Sequence, residues 1–127
     1  MAVPFLLMLV IGIVDIGRAA LMQHGLRRAA QHGASLAVTR SVNDAAIKSV
    51  AAAAAGVPAN LVRVARWTEC GGKRIDGLHD CGAARHAAQF LEVQVSGGYQ
   101  PTFSGPLVSA GPSDDIMLTA SAVRPLV

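Results

Sequence analysis

The chain has 127 residues, enough for one domain and an appendage. Hydrophobic residues make up 52% and charged residues 15%, which excludes intrinsic disorder, a state that needs low hydrophobicity and high charge. The net charge of +3 is carried by scattered basic residues, not by the dense basic face of a nucleic-acid binder.

Residues 1–14, MAVPFLLMLVIGIV, contain no charged side chain. A helix apolar on every side belongs in a membrane or in a large core, and the remainder of this chain is too small to supply the core. Pro4, Phe5, Leu6, Leu7, Leu9, Val10, Ile11, Ile13 and Val14 are therefore the expected membrane anchor. The run is shorter than the roughly 20 residues that span a bilayer. Three explanations remain open: a start downstream of the natural N-terminus, continuation past Asp15 into IGRAALM, or a signal-peptide core. The last is the weakest, because no basic region precedes the run and no small-residue cleavage site follows it. Pro4 suits a helix start, where its missing N–H costs least. Asp15 and Arg18 lie at i and i+3 and are neighbours on a helix. They read as an ion pair at the membrane boundary or as a register-setting contact between subunits in a helical bundle, since unpaired charge in lipid is costly.

From residue 19 to about residue 41 the helical pattern turns amphipathic. Met22, Leu26, Ala29, Ala30, Gly33, Ala37 and Ser41 form one stripe, with Gln23, Arg27, Gln31 and Arg40 off it. The stripe is rich in small residues that let another backbone approach, and packing on the head is the expected use. Asn43 is a candidate cap for a second helix over DAAIKSVAAAAA, with Gly56 and Pro58 as stop signals. The alternative is one unbroken helix to Ala55. After Pro58 the period changes. LVRVARW (residues 61–67), QFLEVQVSGGY (89–99) and IMLTASAV (116–123) read as strands. Leu91, Val93 and Val95 share one face of the second strand. Ile116, Leu118, Ala120 and Ala122 would face the core from the third. The intervening PTFSGPLVSAGPSDD is a Pro/Gly/Ser-rich connection whose prolines would blunt strand pairing. The expected fold class is α+β: a long N-terminal helix packed on a small antiparallel sheet of three or four strands. The expected division is a helical anchor over 1–42 and a head over 43–127.

Cys70 and Cys81 enclose a polar loop with Gly71, Gly72, Gly77 and Asp80. A disulfide closing this loop would stabilise the fold by roughly 3 kcal/mol and would persist in an oxidising compartment. Zinc held by Cys70, His79, Cys81 and His86 is the alternative, although the short paired spacings of structural zinc sites are missing. His24 and His32 complete the histidines. No nucleophile motif or placed acidic pair accompanies them, so no catalytic residue is assigned and no cofactor is expected. GGYQP (97–101) and SGP (104–106) are turn sequences and not phosphate loops, because no helix start follows them.

PFLLMLVIGIVDIGRA (4–19) resembles the N-terminal signature of TadE-like and TadG-like proteins, with Pro4, Gly12, Ile13, Val14, Asp15, Ile16, Gly17 and Arg18 in the motif positions. AAQHGASLAVTR (29–40) is similar to the family's second helical stretch, and LTASAVRPL (118–126) resembles its last strand. The resemblance implies a pilin-like, non-enzymatic protein of a tight-adherence (Tad, Flp) type IV pilus. Its role would be that of a minor pilin or pseudopilin in pilus assembly, surface adhesion and biofilm formation. Its partners would be other pilins, inner-membrane assembly proteins and the lipid bilayer, with no nucleic acid or small-molecule substrate. The helix would lie in the inner membrane, with the head in the periplasm or in an extracellular pilus. An inner-membrane scaffold that never enters the fibre and a metal-dependent periplasmic enzyme are the rival readings.

Overall fold

A computed structural model of the chain describes residues 2–40, 42–78, 80–82, 87–101 and 116–126. Helix α1 runs from Val3 to Thr39, with Pro4 in its first turn. It ends where Arg40 turns extended, at φ −141° and ψ 138°. This break rules out the single helix to Ala55 and frees a second one, α2, Asp44–Ala55. The Asn43 side chain caps α2 by accepting the Ala46 N–H at 2.9 Å, and Asp44 adds negative charge at the positive helix end. At the other end Gly56 adopts φ +67°, and the Val57 N–H donates to the Ala52 carbonyl at 3.1 Å, the paired closure that a left-handed residue permits.

A one-turn 3₁₀ helix, Ala59–Leu61, leads into four antiparallel strands: β1 Val62–Cys70, β2 Lys73–Asp76, β3 Ala87–Tyr99 and β4 Ile116–Leu126. Their order in the sheet is β2-β1-β3-β4. The fold class is α+β, a long N-terminal helix on a small antiparallel sheet, as the periodicity predicts. The cysteine loop is more regular than expected, because β1 and β2 form a hairpin inside it. Gly71 and Gly72 take φ +60° and +83°, positive at both central positions of a two-residue turn, which is what the twist of a tight hairpin needs. The proline-rich connection over 102–115 lies outside the described residues.

Alternation on β3 sets the core. Leu91, Val93 and Val95 are fully buried against Leu26, Ala29, Ala30 and Ala34 of α1 and Ile47, Ala51 and Ala52 of α2. Val62 of β1 and Ala120 of β4 complete the cluster, with Leu118 and Ala122 packed at its border. Ile116 departs from the expectation. It is 44% exposed, because it pairs with Tyr99 at the end of the sheet, where no further layer covers it among the described residues. Within the predicted helix stripe Leu26, Ala29, Ala30 and Gly33 are buried and Met22 and Ala37 half-buried, while Ser41 lies outside the described residues.

Two glycines set how closely the layers approach. A Cβ on Gly33 would stand 3.1 Å from the Ala51 Cβ and 3.3 Å from Val93 Cγ1. A Cβ on Gly97 would stand 2.8 Å from the Met22 Cε and 3.3 Å from Leu26 Cδ2. In a core built from small side chains, such contact replaces the dispersion that larger residues would supply. Arg66 straps α2 to the sheet: its Nε and Nη2 donate to Asp44 Oδ1 at 2.9 and 2.6 Å. The pair is partly exposed, so it contributes about 1 kcal/mol or less.

Candidate functional site

Among the described residues, no layer covers the N-terminal half of α1. Phe5, Leu6, Leu7, Leu9, Val10, Ile11, Ile13 and Val14 are 40–72% exposed, and Pro4 is exposed beside them. Ile16 and Leu21 continue the exposed apolar surface at 72% and 73%. The helix is long and apolar enough to cross a membrane, and none of its most apolar window is buried. In water such a surface would be a severe liability for a monomer, because contiguous apolar patches of this extent mark membrane or protein contact.

Four residues singled out from the signature follow along this helix. Gly12 and Gly17 are open: a Cβ on either meets nothing within 4 Å. Asp15 is half-buried and Arg18 exposed, and both have interaction partners. One contact at this level was not foreseen from sequence. The Tyr99 hydroxyl donates to the backbone carbonyl of Asp15 at 2.9 Å. It ties the end of β3 to the helix beside the apolar run. A signal for it was present, since Tyr99 continues the odd-numbered face of Leu91, Val93 and Val95, but the height of the helix against the sheet could not be read from periodicity.

At the opposite end of the sheet Cys70 and Cys81 are joined by a disulfide, with Cα atoms 5.6 Å apart. Thr68 is fully buried nearby and donates its hydroxyl to the Gly77 carbonyl at 3.0 Å, which fastens the segment after β2 to β1. On the sheet face away from the helices Trp67 stacks on Phe90, centroids 5.6 Å apart, and the Arg74 guanidinium lies 4.1 Å over the Trp67 ring. This cluster was missed from sequence because its members come from three strands. With both thiols bonded to each other, the zinc arrangement loses two of its four candidate ligands. His79 and His86 lie outside the described residues, and no group of three metal-ligating side chains occurs among those described.

His24 lines a shallow depression along α1 with Ile16, Ala19, Ala20, Gln23 and Arg27. His32 lies in a second groove, between α1 and α2, with Ser35, Leu36, Thr39, Val50 and Ala54. The structure does not bring the two histidines into one site.

The arrangement defines a class: one candidate membrane-crossing helix, continuous with an α+β head that is fastened by a disulfide. Residues 1–35 match the family described as TadE-like protein. Over those residues the chain is similar to TadE-like proteins. The match covers the apolar run and the Asp15–Arg18 motif but ends inside α1, so the sheet takes no part in it. No curated protein and no solved structure matches the chain.

Proposed function

We propose that this protein is a minor pilin or pseudopilin of a tight-adherence type IV pilus. The anchor over 1–42 holds it in the inner membrane and packs among like helices of other pilins and assembly proteins. The head over 43–127 stands on the periplasmic side, or outside the cell when in the fibre, and serves pilus assembly, surface adhesion and biofilm formation. The observation that carries this reading is a coincidence of position. The stretch that matches the TadE-like family, residues 1–35, contains the whole apolar run that is exposed among the described residues, as well as the packed stripe from Leu26 to Ala34. A disulfide in the head fits an oxidising compartment. Gly12, Asp15, Gly17 and Arg18 would then set the register of the helix against its neighbours, with close approach allowed where no Cβ intervenes.

The test is to shear and purify pili from cells that express the protein and to probe both the fibre and the membrane fraction for it. Presence in the fibre at a small fraction of the major subunit supports the minor pilin. Retention in the inner membrane with none in the fibre would favour a scaffold of the assembly machine.

A further inference from the structure

We propose that the Cys70–Cys81 bridge is a redox latch on one local unit of the head. Its reduction releases the β2 hairpin from β1 and lifts Arg74 off Trp67, while the helix–sheet core stays folded. The inference stands on contacts within the head and does not need the pilin reading.

The head holds two sets of contacts that share little. The first is the buried cluster drawn from α1, α2, β1, β3 and β4, which includes no residue from 70–82 among those described. The second is the hairpin. β2 is an edge strand of four exposed residues, with β1 as its neighbour in the sheet. A short edge strand that buries no side chain gains little from the exclusion of water. What holds it is polar and local. Four pairings run from Cys70 with Lys73 to Trp67 with Asp76. Just beyond them the Gly77 N–H donates to the Arg66 carbonyl at 2.9 Å, and the Gly77 carbonyl accepts from the Thr68 hydroxyl. Arg74 covers the Trp67 ring, and its ion pair with Asp76 spans 3.7 Å with the carboxylate 93% exposed, where water screens it.

The bridge sits where it decides this balance. It joins the last residue of β1 to the segment after β2, so it closes the unit into a ring and limits the entropy that opening would gain. Opening removes no member of the buried cluster, and the Thr68 hydroxyl can bond water once uncovered. The location also isolates the change. Cys70 pairs with Ala87 at the start of β3, about 40 Å along that strand from Tyr99 and its contact with α1.

The reductant is a dithiol. One of its thiolates attacks the sulfur of Cys81, which is half-buried where Cys70 is 7% exposed, and Cys70 leaves as a thiolate. The second thiolate of the reductant then displaces Cys81. Two electrons pass to the bridge, each cysteine takes up a proton, and the dithiol ends as a disulfide. An excess of that disulfide drives the reverse exchange and closes the latch.

The test is hydrogen exchange read by mass spectrometry on the full chain in detergent, with and without dithiothreitol. Iodoacetamide labelling of a parallel sample shows when both thiols are free. In the reduced chain the amides of residues 73–77 should exchange as fast as in an unfolded peptide, while those of residues 91–95 stay protected by at least about tenfold. Acrylamide quenching of Trp67, the chain's single tryptophan, should rise as Arg74 leaves it. The paired Cys70→Ala and Cys81→Ala variant should match the reduced chain without any reductant. Protection of 73–77 that survives reduction overturns the inference, because the hairpin then holds without the bridge. Loss of protection over 91–95 as well overturns it, because the bridge then holds the whole head. A bridge that excess dithiothreitol leaves intact, or Trp67 quenching that does not rise, overturns it too. None of these outcomes touches the pilin reading, which is tested by where the protein is found.

Discussion

Residues 3–21 and 22–39 of α1 share one unbroken hydrogen-bond ladder and differ in what surrounds them. In the first stretch large aliphatic side chains are exposed, and Gly12 and Gly17 have nothing near them. In the second, buried side chains are mostly small, and Gly33 lies against Ala51 and Val93 at near-minimum distance. The same residue types thus do opposite things along one helix. Large apolar residues do not build the core where no second layer exists, and small ones build most of it where two layers meet. The comparison shows that apolarity and burial separate where no second layer is present among the described residues.

The sharpest way to break that comparison is to truncate one leucine in each stretch. Leu26 is 2% exposed and Leu9 is 48% exposed. Leu26→Ala should cost the head about 2–5 kcal/mol in denaturant unfolding, the range for a buried Leu→Ala change. Leu9→Ala should leave the same transition within about 0.5 kcal/mol. Equal losses would mean that the two stretches are one folding unit.

Removing the staple asks whether helix packing alone holds the head. Paired Cys70→Ser and Cys81→Ser substitutions should lower its stability by about 3 kcal/mol, the chain-entropy value for a loop of this size. Thermal unfolding with and without reductant on the wild-type chain should show the same shift. An unchanged midpoint would assign the stability to the helix–sheet contact.

The smallest contrast is between glycines. Gly33→Val should destabilise the head by about 1–3 kcal/mol, because the added methyl groups meet Ala51 and Val93 in a packed layer. Gly17→Val should leave head stability unchanged within about 0.5 kcal/mol, since the added side chain enters open space. Calorimetry in detergent would read both. A large loss from Gly17→Val would show that the first stretch has a partner surface within its own chain.

Much of the fold was legible because local patterns agree with it. Asn43 and Gly56 end α2 by chemistry that needs no tertiary context. The alternation of Leu91, Val93 and Val95 marks both the strand and its buried face. The β2 hairpin was missed because Gly71 and Gly72 read equally well as a flexible loop, and only the pairing of Cys70 with Lys73 distinguishes the two. Ile116 was misplaced because alternation tells which face a side chain takes and not where the opposing layer ends. The cluster of Trp67, Phe90 and Arg74 needed strand order and register, which no single segment carries.

The sequence by itself determined that the chain opens with a helix apolar on every side, that a capped helix and alternating strands follow, and that two cysteines flank one loop. These are properties of neighbouring residues, set by side-chain period and backbone preference. Only the tertiary structure decided how far down α1 the sheet descends, and so that Tyr99 meets Asp15 where the apolar run gives way to the packed stripe. That height is set by which segments distant in the chain meet, among them Gly33 against Val93 and Gly97 against Met22 and Leu26.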